Sequence, residues 1–154
     1  MKKITIIFTA ICSIVAFGAQ TGSAQSKKKP AAEWKKTLTP NQYEILVERG
    51  TEPAYNNAYW NNHEKGVYVS AATGDVLFTS EDKYDSHTGW PSFVKPVDPS
   101  KIEVVKDNSY GMVRDEVVEK STGLHLGHVF DDGPADRGGK RYCMNSGALK
   151  FIKK

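Results

Sequence analysis

Two spacings of apolar residues divide this chain. Between residues 39 and 50, Tyr43, Leu46 and Val47 repeat at helical spacing and share one face. Thr39 can cap that helix, Pro40 suits its first position, Gln42 completes a capping box, and Gly50 marks its end. A second, short helical piece is expected over residues 53–59, where asparagines dilute the pattern. From Gly66 onward the pattern changes to short β-rich runs. Residues 66–69 and 75–78 flank a turn at Thr73-Gly74. Residues 102–105 and 110–118 flank Lys106-Asp107-Asn108-Ser109, which reads as a hairpin turn. Residues 124–130 form another strand, and 140–144 and 148–152 a final pair around Asn145-Ser146-Gly147. Loop-forming clusters stand at Asp131-Asp132-Gly133-Pro134 and Arg137-Gly138-Gly139. The pattern predicts a mainly β architecture: short helices in front, antiparallel strands behind.

A third pattern precedes both. Residues 4–17 are an almost unbroken apolar run behind Lys2 and Lys3, and Gly22-Ser23-Ala24 offers small residues for cleavage. This is the layout of a secretory signal peptide over residues 1–24, with cleavage near Ala24. The run is short for a transmembrane helix, which needs about 20 apolar residues. Cys12 lies inside it, and Ile11 stands where a lipobox carries a small residue, so Cys12 is expected to leave with the leader. Residues 25–33, with Lys27-Lys28-Lys29 and Pro30, read as a solvated linker. Residues 34–154 are then one domain with one core, expected in the periplasm or outside the cell.

Charge excludes one class of partner. Losing the leader removes two lysines and no acids, so 21 basic against 18 acidic residues becomes 19 against 18. A nearly neutral chain lacks the concentrated basic surface that nucleic acid requires.

The chemistry centres on Cys143, in Arg141-Tyr142-Cys143-Met144-Asn145-Ser146. Without Cys12 it has no intrachain partner, and an odd cysteine in an exported protein needs an explanation. Arg141, with His125 and His128 upstream, suggests one. Positive neighbours lower a thiol's pKa from about 8.5, and the thiolate is the reactive form. Histidine titrates near neutrality and can supply or take a proton. On a regular strand His125 and His128 would face opposite sides, and a bulge or a turn at Gly127 could bring them to one cleft. No neighbouring set completes the three ligands that a catalytic zinc needs, although Asp131 and Asp132 are near in sequence. Gly89-Trp90-Pro91-Ser92-Phe93 puts two aromatic residues around a proline. Phe93 reads as part of a core turn, and Trp90 as a candidate pocket wall.

Gly89-Trp90-Pro91-Ser92-Phe93, His125-Leu126-Gly127-His128-Val129-Phe130-Asp131-Asp132-Gly133-Pro134 and Arg141-Tyr142-Cys143-Met144-Asn145-Ser146 occur in that order behind Leu38-Thr39-Pro40-Asn41-Gln42-Tyr43. Together they resemble the methionine sulfoxide reductase B family over residues 34–151. The resemblance implies two antiparallel β-sheets with short N-terminal helices, and reduction of the R epimer of methionine sulfoxide, free or protein-bound. It implies Cys143 as nucleophile, with His125 and His128 near the sulfoxide oxygen. Trp90 would wall the pocket for the methyl group, with Phe130 beside the substrate. Asn145 would position the substrate, and Arg141 and Asp132 would support the polar network.

The departures from the family pattern matter as much. Many members hold a structural zinc with two Cys-x-x-Cys pairs, at positions occupied here by Ser70, Thr73, Glu119 and Thr122. Hydroxyls are poor substitutes for thiolates, so no metal and no cofactor are expected. Many members also carry a resolving cysteine where this chain has Thr88. The reductant, a thioredoxin-like protein or a small thiol, must then act on Cys143 itself. Partners are expected to be oxidised proteins or peptides and that reductant, with the chain a monomer. Two other readings use the same residues: a single-cysteine thiol peroxidase, and a non-catalytic module that binds oxidised methionine. A peroxidase needs no tryptophan wall, and a binding module needs no cysteine.

Overall fold

The computed structural model describes residues 27–154; the expected leader and Cys12 lie outside the described residues. Two short helices, α1 (Ala31–Thr37) and α2 (Pro40–Leu46), precede nine strands. These are β1 (Gly66–Ser70), β2 (Val76–Thr79), β3 (Lys83–Tyr84), β4 (Ser92–Phe93), β5 (Ile102–Asp107), β6 (Arg114–Glu119), β7 (His125–Phe130), β8 (Arg141–Met144) and β9 (Leu149–Lys153). They form a three-stranded sheet, β2-β1-β9, and a six-stranded sheet, β3-β4-β8-β7-β6-β5. All pairs are antiparallel.

The capping box forms as the sequence predicts. The Gln42 N–H donates to the Thr39 hydroxyl, and the Gln42 side chain accepts from the Thr39 N–H. Helix α1 begins inside the stretch expected as linker, because Trp34 is buried in the core and ties this turn down. No helix forms over residues 53–59. The Asn57 amide instead donates to the carbonyls of Pro53 and Gly89, the Tyr55 N–H also donates to Gly89, and Tyr55 sits at φ 61°. That left-handed conformation is incompatible with a continuing helix.

Strand assignments shift for equally local reasons. Within the strand expected over 110–118, residues Ser109–Gly111 form a 3-10 turn. The Asp107 carboxylate accepts the Ser109 N–H at 2.9 Å, which starts the turn and delays β6 to Arg114. Ser92-Phe93 is a strand pairing with β8, where a turn was expected. β8 and β9 do not pair with each other. The 3-10 turn Ser146–Ala148 separates them and sends β9 to the other sheet, beside β1.

One apolar cluster joins both sheets and the helices. It contains Trp34, Ile45, Tyr68, Phe78, Phe93 and Met144. Phe78 stacks on Phe93 with centroids 4.4 Å apart, and Tyr68 meets Phe93 edge-on at 5.0 Å. Such pairs add roughly 0.5–1.5 kcal/mol beyond the area they bury. They fix β4, and with it the strand beside Cys143.

Candidate active site

Strand register builds a row of polar side chains across the six-stranded sheet. Ser92 on β4 lies opposite Cys143 on β8, Cys143 opposite His128 on β7, and His128 opposite Glu116 on β6. Residues directly opposite in a sheet share a face, so this row faces one way. Two irregularities make it usable. Gly127 has no Cβ, which would collide with the Cys143 carbonyl, so β7 and β8 can approach here. The β6–β7 ladder also slips: Val117 faces Gly127, but Val118 faces His125. The extra residue on β7 is a bulge near Gly127, and it brings the two imidazoles to 5.3 Å.

The two histidines are held differently. His125 is 2 % exposed, and its Nδ1 lies 2.7 Å from Glu116. Its Nε2 faces the Asn145 amide at 3.4 Å. An amide donor there makes Nε2 the acceptor, so Nδ1–H donates to Glu116. Burial pushes the His125 pKa down, outweighing the Glu116 carboxylate, and so favours the neutral ring. His128 places Nε2 2.9 Å from Asp107. The Ser109 hydrogen bond and then that of His128 hold the Asp107 carboxyl far below the usual range, with Arg114 adding a contact at 2.7 Å. Each histidine therefore rests on a carboxylate, and each carboxylate on an arginine. Glu116 pairs with Arg49 and Asp107 with Arg114.

Cys143 departs from the expectation of a lowered pKa. Burial pushes its thiol up, and this outweighs Arg141, Thr88 and Ser92, which act in the opposite direction. Burial thus favours the neutral thiol over the thiolate.

Cys143, His128, Trp90, Phe130 and Asn145 line one pocket of ≈ 200 Å³. His125 lines the adjoining cleft of ≈ 690 Å³, which shares His128, Arg114 and Thr51 with the pocket. Arg141 and Asp132 line neither. They form a two-pronged pair, 2.8 Å on each prong, beside a third cavity of ≈ 380 Å³. Arg141 also lies 4.4 Å over the Phe130 ring and supports the pocket from behind.

Several residues of this site escape a reading of the sequence. Glu52 accepts the Trp90 indole N–H through its carbonyl at 3.0 Å, and its own N–H donates to Asn145. Its carboxylate accepts the N–H groups of Ser146 and Gly147. Asp107 reads as a turn residue. Arg114 and Glu116 carry a usable signal: two charges at alternate positions of a strand, on the face that also holds the histidines.

The four positions that hold zinc elsewhere do not fit that metal here. The Thr73 and Thr122 hydroxyls donate to the two oxygens of the buried Glu119 carboxylate, at 2.5 and 2.8 Å. The Ser70 hydroxyl accepts the N–H groups of Ala72 and Thr73. One carboxylate and three engaged hydroxyls are a hydrogen-bonded clasp and a poor ligand set for zinc.

The sequence agrees with this geometry when set beside known proteins. Residues 38–153 match the SelR domain. Peptide methionine sulfoxide reductase MsrB of Leptospira interrogans is 52 % identical over 125 residues, covering 81 % of this chain and 95 % of that protein. Such identity over nearly the whole folded region, in a β-fold with short leading helices, shows that the chain belongs to the MsrB family of peptide methionine sulfoxide reductases.

Proposed function

We propose that this protein is an exported peptide-methionine (R)-S-oxide reductase whose nucleophile is Cys143. The observation that carries the reading is the pairing of Cys143 with His128 across β7 and β8, both lining a pocket bounded by Trp90 and Phe130. The aromatic walls suit a methyl and a methylene group. His128 lines that pocket while Asp107 holds its Nε2. The sulfur of Cys143 attacks the sulfoxide sulfur, and negative charge grows on the oxygen. The ring nitrogen of His128 not held by Asp107 takes the proton of the Cys143 thiol as the sulfur attacks and passes it to that oxygen. The oxygen ends on Cys143 as a sulfenic acid, and methionine leaves. His125 acts through Asn145, which it fixes beside the pocket.

An external thiol then restores Cys143, since Thr88 stands where a resolving cysteine would be. No cofactor takes part. The site is complete within one chain, which supports a working monomer. Export rests on Lys2, Lys3, the apolar run and Gly22-Ser23-Ala24. The Trp90 wall favours the sulfoxide over a peroxide as substrate. The test supplies separated R and S epimers of a methionine sulfoxide peptide with dithiothreitol. Only the R epimer should be consumed; equal consumption of both, or of neither, overturns the reading.

A further inference from the structure

Cys143 has a second side. Away from the Trp90 pocket lies the ≈ 380 Å³ cavity lined by Tyr84, Ser86, Thr88, Asp132, Pro134 and Arg141. It shares no residue with the pocket, yet Thr88 and Arg141 on its wall both act on the Cys143 thiol. Three hydroxyls run from it to the sulfur. The Ser86 oxygen is 2.8 Å from that of Thr88 and 2.7 Å from that of Ser92, the strand neighbour of Cys143. The Tyr84 hydroxyl is buried and has no hydrogen-bond partner among the described residues. A buried polar group without a partner calls for an explanation, and a ligand is one.

We propose that this cavity is the port through which a small polar thiol reaches the oxidised Cys143; the inference rests on the reductase reading above. Displacement at a divalent sulfur runs in line, with the attacking atom opposite the leaving atom. The oxygen comes to Cys143 from the Trp90 pocket, so a thiol attacking in line with that S–O bond comes from outside the pocket. The cavity shares no lining residue with the pocket yet holds Thr88 and Arg141 beside the sulfur, and it offers that approach. The thiolate forms an S–S bond to Cys143 as the S–O bond breaks. The departing hydroxide takes the proton that the thiol gave up and leaves as water. Ser86, Thr88 and Ser92 can pass that proton, since each hydroxyl both donates and accepts. A second thiol attacks the outer sulfur of the mixed disulfide and frees the Cys143 thiol with one external disulfide. Two thiols are oxidised and one sulfenic acid is reduced.

The occupant is small because the space is small. A volume of ≈ 380 Å³ falls at the low end of the roughly 300–1,000 Å³ that small-molecule sites occupy. Asp85, Asp132 and Arg141 give the lining both signs of charge. That suits a zwitterionic thiol, of the size of an amino acid or short peptide.

The two half-reactions separate the claims. The full-length mature protein is mixed with one equivalent of the sulfoxide, and released methionine is counted. Cysteine is then added as the probe thiol, and loss of the oxygen from Cys143 is followed by mass spectrometry. Pro134→Trp, which fills the port from its rim, should slow the second step by roughly tenfold or more through loss of the approach geometry. Tyr84→Phe should slow it by about three- to tenfold, the worth of one hydrogen bond. Methionine release should be unchanged in both, which also shows that they fold. If the unmodified protein releases no methionine, the reductase reading falls. If methionine is released normally and both variants are re-reduced at the unmodified rate, the port is wrong.

Discussion

The Trp90 indole hangs from the main chain of Glu52, its N–H donating to the Glu52 carbonyl at 3.0 Å. The same residue holds Asn145 through its N–H, and the turn after Asn145 through its carboxylate. One residue outside any helix or strand thus sets two sides of the pocket. Burial pushes the Glu52 pKa up, against the hydrogen bonds from Ser146 and Gly147. A carboxyl whose folded pKa is raised costs stability as pH climbs through and above its ordinary range. Its two oxygens nonetheless match two N–H donors. Glu52→Gln replaces one acceptor by a donor facing an N–H, and should cost about 1–3 kcal/mol. Thermal unfolding would show it. An unchanged midpoint would mean that the carboxylate is dispensable to the turn.

The histidines should respond unequally. His128 lines the pocket with Cys143, and His125 does not. His128→Ala should slow methionine release by about 10²–10⁴-fold, the usual worth of a positioned acid. His125→Ala should weaken substrate binding more than it slows the chemical step, because it loosens Asn145. Single-turnover rates at saturating and limiting substrate distinguish the two effects. The reverse ranking would exchange their roles.

What was legible in the sequence follows from what is local. The capping box at Thr39 and the β1–β2 hairpin depend on residues close in the chain, and both form as predicted. The bulge near Gly127 was legible because two histidines three apart on a strand otherwise diverge. The supports of the site were not. Glu52 meets Asn145 and Ser146 across more than ninety residues, and Arg49 meets Glu116 across 67. No spacing rule reaches that far. The pKa of Cys143 was misread for a related reason: the nearby Arg141 is visible in sequence, but the burial that outweighs it is not.

The Glu119 clasp ties the turn after β1 to the turn after β6 through Thr73 and Thr122. Glu119 is 1 % exposed, so losing its carboxylate takes the acceptor from both hydroxyls and leaves Thr122 only a 3.5 Å contact to the Glu119 carbonyl. Glu119→Ala should lower stability by roughly 1–3 kcal/mol or more, and chelator should not move the melting temperature of the unmodified protein. Metal analysis and melts with and without chelator test both claims. A chelator-sensitive melt would show that a metal holds these turns.

Cys143 should ionise late. Burial is the largest influence on its thiol and pushes the pKa up; Arg141 is the largest influence pulling it down. Alkylation by iodoacetamide follows the thiolate, so its rate should rise with pH through a midpoint above the roughly 8.5 of a free cysteine. Arg141→Gln removes the opposing cation and should move that midpoint higher still. A midpoint below that of free cysteine would show a thiolate already formed in the resting site. The measurement also separates the two enzyme readings. A thiol peroxidase needs a standing thiolate, because peroxide oxidises that form. A sulfoxide reductase does not, because its substrate enters the same pocket as His128 and the reaction itself moves protons there. A late-ionising Cys143 would therefore fit the sulfoxide reading better than the peroxidase one.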